Sequence, residues 1–318
     1  MMLLFRRLPG PARRSARFIQ ATALAVAALM TATLVSGCTS AFKPSRKLVP
    51  GPSGAIAAAP LARDRVAILA GDDESKGVFI IDLHNGEVLK SFGVTREATS
   101  IAAEGGDGPL LVSVGGTSRN GRPVGAVERW TLAGTKVQVV PMPAPALWLT
   151  RVVDDVSYVM VGTGEARTAM PLYLPSMKVG KPMALDAGAK HPDLCKLGSN
   201  DYLVFSGGTQ GTIVVREIES GIVVRSSVVA DNPTCVTGRQ DVFAISKTFA
   251  ARTIAVLTLP ELLQGSLIPA SNDATALYES ADHHLLALNA TSRSSNLEMF
   301  PDDLLELKSP TNITNAAK

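Results

Sequence analysis

The chain has 318 residues, 46% of them apolar and 5% aromatic, with 31 Lys and Arg against 28 Asp and Glu. That is enough apolar chain for a large core or a closed array of repeats, built mainly from Val, Ile, Leu and Ala. The formal charge of +3 rests on five arginines before Cys38 (Arg6, Arg7, Arg13, Arg14 and Arg17); beyond them 26 basic residues face 28 acidic ones, a net of −2. Such a balance gives no general attraction to nucleic acid.

A basic stretch ends at Arg17, and an apolar run follows from Phe18 to Val35, then Ser36, Gly37 and Cys38. This is the charged, apolar and small-residue order of a secretory signal. The ending Val35-Ser36-Gly37-Cys38 resembles the bacterial lipobox. The resemblance implies a signal peptide over residues 1–37, cleavage before Cys38 and lipidation of its thiol. The run is also about long enough for a transmembrane anchor, but a cysteine after small residues is a less expected end for one. Residues 38–63 carry Pro44, Pro50, Pro52 and Pro60 with no hydrophobic period, which predicts a flexible tether. Thr39, not an aspartate, follows the cysteine. By resemblance to enterobacterial sorting, the expected address is the periplasmic face of the outer membrane.

From 64 to 310 the chain is a series of short apolar runs broken by Gly, Asp, Asn, Ser and Pro, which predicts an all-β fold. Gly77–Phe92 reads as a hairpin turning at Asn85-Gly86, with both central residues at positive φ. Similar units recur. The anchors at the expected third-strand ends are Leu83, Leu132, Leu174, Ile218, Leu259 and Phe300, spaced by 49, 42, 44, 41 and 41 residues. Apolar runs at Val66–Ala70, Leu110–Val114, Tyr158–Val161, Tyr202–Phe205, Val242–Ile245 and Leu285–Leu288 precede them as second strands. Inner strands are expected at Ser100–Ala103, Leu147–Val152, Leu194–Leu197, Thr234–Val236 and Leu277–Glu279. A period near 40 residues predicts a β-propeller of six blades, each of four antiparallel strands. Closure falls either to Ala55–Ala58 or to the tail beyond Pro310, whose residues 311–318 are polar.

The stretch Tyr202–Val224 resembles the Tyr-Val-Thr-Asn propeller repeat of extracytoplasmic proteins. Asp82 followed by Gly86 is similar to the Asp-x-x-x-Gly step of quinoprotein-type blades, although Lys90 and Arg225 stand where those blades carry tryptophan. The resemblance spans residues 64–309 at the level of a superfamily and implies no particular functional residues.

Chemistry-bearing patterns are sparse. His84, His191, His283 and His284 read as solvated polar residues. Gly162–Arg167 lacks the third glycine and following helix of a dinucleotide loop. Asp72, Asp73 and Glu74 lack the ligand periodicity of an EF-hand. No catalytic residue, metal site or cofactor is expected. Arg119 and Arg122 lie in the longest loop between middle strands and are the candidate partner-binding residues, with Arg167, Lys247, Arg252 and Arg293 in equivalent loops.

The function expected is therefore a membrane-anchored binding or scaffold module for envelope proteins. It resembles in outline the propeller lipoprotein of the outer-membrane β-barrel assembly machinery, which has more blades. The alternatives are a sensor for a sugar or cell-wall fragment, for which Trp130 and Trp148 are the available platforms, and a lactonase-type enzyme. Cys195 and Cys235 fall at nearly equivalent places on adjacent inner strands. An oxidising compartment invites a disulfide, but strands diverging around a channel predict two buried thiols.

Overall fold

Why an unbroken apolar run becomes a strand is plain at Arg65–Gly71, where five consecutive residues are buried. Val66, Ile68 and Ala70 enter one apolar layer, while Ala67 and Leu69 enter the next. Strand side chains alternate in direction, so only a strand sandwiched between two neighbouring sheets needs apolar residues on both faces. The computed structural model describes residues 47–72, 74–117, 121–208, 210–247, 253–270, 273–291, 293–301 and 305. All of these fall in the compact unit Arg46–Lys318.

The described residues form twenty-four strands, β1 to β24 in chain order. The first, β1 (Lys47–Gly51), pairs with the last of these. Next, β2 (Ala55–Leu61), β3 (Arg65–Gly71), β4 (Lys76–Asp82) and β5 (Val88–Val94) make one antiparallel sheet. A second holds β6 (Ala98–Ala103), β7 (Leu110–Thr117), β8 (Pro123–Trp130) and β9 (Lys136–Met142). The third holds β10 (Ala146–Leu149), β11 (Val156–Thr163) and β12 (Ala166–Tyr173), with β13 (Lys178–Val179) and β14 (Met183–Ala184) both laid on β12.

The next sheet has seven strands: β15 (Lys190–Leu197), β16 (Asn200–Gly207), β17 (Thr212–Glu217), β18 (Val223–Cys235), β19 (Asp241–Ser246), β20 (Thr253–Thr258) and β21 (Gln264–Pro269). The fifth sheet is β22 (Ala276–Glu279), β23 (Leu285–Ala290) and β24 (Ser295–Phe300), completed by β1.

The arrangement is that of a β-propeller. Apolar layers lie between consecutive sheets, and Val49, Ile68 and Ile81 pack with Leu286 and Leu297 to join the first sheet to the last. Another layer lies inside the seven-stranded sheet, where Val204 and Val215 meet Ala244 and Leu257. That sheet departs from the expected separate blades of four strands. Its long strand β18 pairs with β17 through Val229 and with β19 from Ala230 onward.

Three further expectations are corrected. Residues 47–61, read as tether, form β1 and β2, and within β2 lies Ala55–Ala58, the stretch offered as the inner strand that closes the first unit. Their Ala, Pro and Gly content hid them, yet Ala57, Ala58 and Ala59 are buried where innermost strands crowd together. The turn after β4 is not a two-residue hairpin. Leu83 to Glu87 separate the strands, the Gly86 amide donates to Asp82 at 2.8 Å, and Gly86 alone takes positive φ, +78°. The same closure joins Gly221 to Glu217 and Leu262 to Thr258. Finally, most anchors stand just past their strands. The amides of Leu83, Leu174, Ile218 and Leu259 donate to Asp64, Asp155, Asp201 and Gln240, tying each turn to the one beside it. Residues 1–37, expected to form a signal peptide, together with Cys38 and residues 311–318, lie outside the described residues.

Candidate functional site

The innermost strands β2, β6, β10, β15, the end of β18, and β22 surround a central cavity of about 380 Å³. All but β22 carry a register shift along this edge. Bulges re-aim side chains at such rims. In β15 and β18 the bulge holds a residue in the left-handed region before a proline: His191 (φ +46°) before Pro192, and Asn232 (φ +48°) before Pro233.

One charge cluster ties four innermost segments together. Arg151, just after β10, donates from Nε to both Asp193 oxygens at 3.1 and 3.0 Å, and from Nη2 to Asp193 Oδ2 at 2.5 Å. Nη2 also reaches Thr234 Oγ1 at 3.1 Å and the Cys235 carbonyl, while Nη1 pairs with Glu279. The Thr234 hydroxyl donates to Asp193 at 2.8 Å, and the Thr237 amide to Glu279 at 2.6 Å. His283 Nδ1 stands 2.6 Å from Glu279. Burial alone would lower the Arg151 guanidinium's pKa, but Asp193 and then Glu279 hold it above its ordinary value. These partners occupy the guanidinium fully, so it acts as a cross-brace.

A second cluster faces the same cavity. His191 Nδ1 is 2.7 Å from Asp231 Oδ1, which also accepts from Ser206 Oγ at 2.8 Å and from the Asn232 amide at 2.8 Å. Burial would raise the Asp231 carboxyl, but the hydrogen bonds and charge of His191, then Ser206 and Asn232, hold it well below the usual carboxylate range. An ionised carboxylate only accepts, so Nδ1 carries the proton and Nε2 is left toward the cavity. Trp148 meets the His191 ring edge-to-face at 4.8 Å. Because Asp231, not the imidazole, stands between the other two groups, this is not the relay of a serine hydrolase.

Arg122 is exposed just ahead of β8, and Arg119 lies outside the described residues. Asp72 caps its own loop by accepting from Glu74 and Ser75, and Asp73 is not among the described residues. Arg167 folds back on the carbonyls of Gly164 and Ala166. Trp130 is buried and donates to Glu128 at 3.1 Å, so only Trp148 faces the cavity. Among the described residues, no three His, Cys, Asp or Glu side chains gather to hold a metal.

The cysteine expectation is overturned. Cys195 and Cys235 form a disulfide with Cα atoms 5.7 Å apart, inside the range a bridge needs. Innermost strands of neighbouring units converge at the cavity, and Asp193 and Thr234 hold β15 against the end of β18. Sequence reasoning also missed His191 and Asn232. Their signal was His191-Pro192-Asp193 echoed by Asn232-Pro233-Thr234, 41 residues on.

No family model and no curated relative matches the chain. Among solved structures, the chain is similar to Kuenenia stuttgartiensis hydrazine synthase, with a TM-score of 0.56 at 12% identity over 77% of this chain and 83% of that one. It is also similar to a chain in the crystal structure of the mitotic checkpoint complex, with a TM-score of 0.57 at 13% identity over 94% and 98%. At such identities the likeness is one of fold alone, and that fold is β-propeller-like.

Proposed function

We propose that this protein is a lipid-anchored, extracytoplasmic β-propeller of six four-stranded blades that serves as a non-catalytic binding module for envelope proteins. What supports six blades is β18, whose two halves pair with different neighbours, and the apolar layer that sets β15–β17 against β19–β20. The Val35–Cys38 sequence supports the anchor, and the Tyr202–Val224 pattern supports kinship with Tyr-Val-Thr-Asn and quinoprotein-type blades.

The observation that carries the non-catalytic reading is Arg151. The strongest charge in the cavity is spent on bracing β15, β18 and β22, so the guanidinium is not offered to a substrate. Recognition then falls to loops, where a rigid scaffold usually carries it. The 116–125 loop, with Arg119 and Arg122, is the docking surface in this reading. The test is capture of envelope proteins from detergent extracts by the full chain and by an Arg119→Glu/Arg122→Glu variant. Capture falls with the melting temperature unchanged. Equal capture by both would remove the loop from the reading. Loss of fatty-acid labelling and of processing in Cys38→Ser tests the anchor.

A further inference from the structure

We propose that the central cavity is a binding site for a small uncharged polyhydroxylated molecule, a saccharide ring, held by the Asn232 carboxamide and His191 Nε2 against Trp148. This goes beyond docking at the outer loops and does not depend on the lipid anchor.

The first argument is Asn232. Its residue is 6% exposed and lines the cavity, and its backbone amide is committed to Asp231. Its carboxamide has no hydrogen-bond partner among the described residues. Neither carboxamide atom is among the buried unpartnered ones, so the group is open to the water of the cavity. It supplies two donors and an acceptor to whatever enters.

The second argument is backbone strain. His191 and Asn232 hold left-handed conformations at corresponding bulges of adjacent innermost segments, each fixed ahead of a proline. Left-handed backbone at a residue with a side chain persists where the surroundings impose it, and it clusters at binding sites. Here its effect is to aim two hydrogen-bonding side chains at one space.

Charge and size set the ligand class. Arg151 is opposed by Asp193 and Glu279, and Asp231 lies behind His191. The surroundings are acidic, so an anion is repelled. The lining mixes polar groups such as Ser100, Thr237 and Ser280 with apolar walls such as Ile101 and Leu149, and the volume of about 380 Å³ lies at the lower end of small-molecule pockets, roughly 300–1,000 Å³. Trp148 offers the apolar surface that a sugar's C–H face covers.

The test is calorimetric titration of the full chain in detergent with glucose, N-acetylglucosamine and glucuronate. At least one of the two neutral sugars binds saturably, and glucuronate binds at least tenfold more weakly. Asn232→Gly suits the left-handed backbone and lowers affinity by tenfold or more with an unchanged melting temperature. If that variant does not fold, His191→Asn, also tolerant of positive φ, takes its place, and the folded protein shows the same loss of affinity. No binding of either neutral sugar, equal binding of glucuronate, or wild-type affinity in the folded variant overturns the proposal. Envelope-protein capture measured on the same preparations fails or succeeds separately, so the two readings are told apart.

Discussion

The Ala58 amide donates to the Tyr278 hydroxyl at 3.0 Å, although 220 positions separate them in the chain. The bond runs from β2 to β22, joining the innermost strands of the first and last sheets at the seam that β1 closes farther out. Ala58 is 1% exposed, so its N–H has no access to bulk water. Replacing Tyr278 by Phe leaves that donor orphaned and destabilises the fold by about 1–3 kcal/mol in denaturant titration. A change under about half a kcal/mol would mean that the seam does not need this bond.

Arg151→Ala leaves Asp193 and Glu279 facing each other without their cation. Removing one partner of a buried pair destabilises by about 3–5 kcal/mol. Because the Arg151 side chain is 21% exposed, the lower end, about 3 kcal/mol, is expected. Arg151→Lys recovers only part of it, since an ammonium cannot fork across Asp193 while reaching Glu279. Full rescue by lysine would reduce the cluster to simple charge balance.

The disulfide closes a loop of 40 residues. By the chain-entropy relation this stabilises by about 4 kcal/mol, and measured values of roughly 2–4 kcal/mol are usual. Alkylation of the denatured, unreduced protein adds no label at Cys195 or Cys235, and Cys235→Ser melts at a lower temperature. Two labels would restore the free-thiol expectation.

Asp231 gives a pH signature. Its folded pKa lies below the ordinary value, so its contribution is present above about pH 4 and is lost as the pH falls further. The gap in melting temperature between wild type and Asp231→Asn therefore narrows as the medium is acidified below about pH 4. A constant gap down to pH 2 would show that the carboxylate is not held in its charged form by His191 and Ser206.

Much of the architecture was legible because the second strands are buried on both faces. Val66–Ala70 and Val242–Ile245 have no polar residue to blur them. Innermost strands were harder to read. Ala55–Leu61 is small-residue chain because converging sheets leave no room for larger side chains, and composition alone made it resemble a linker. The anchors ran a step past their strands because Leu83 and its equivalents serve both as core residues and as turn donors. The site was least legible. Arg151, Asp193 and Glu279 are far apart in the chain and meet only at the cavity, and nothing at Arg151 itself foretells two acidic partners. His191 and Asn232 differ in side-chain type, so only their shared proline context marks them as a pair.

Completing the fifth sheet with β1 also sets an order of events. Lys47–Gly51 leaves the ribosome long before Ser295–Phe300, the strand it pairs with residue for residue. Throughout that interval Val49 and the exposed β1 backbone have no ladder to join, and the nascent array has two open ends. The slowest productive step in maturation is then the meeting of these ends, because contacts between distant segments form late. A quality-control factor that shields Val49 in that window would act on a transient feature that the finished fold conceals.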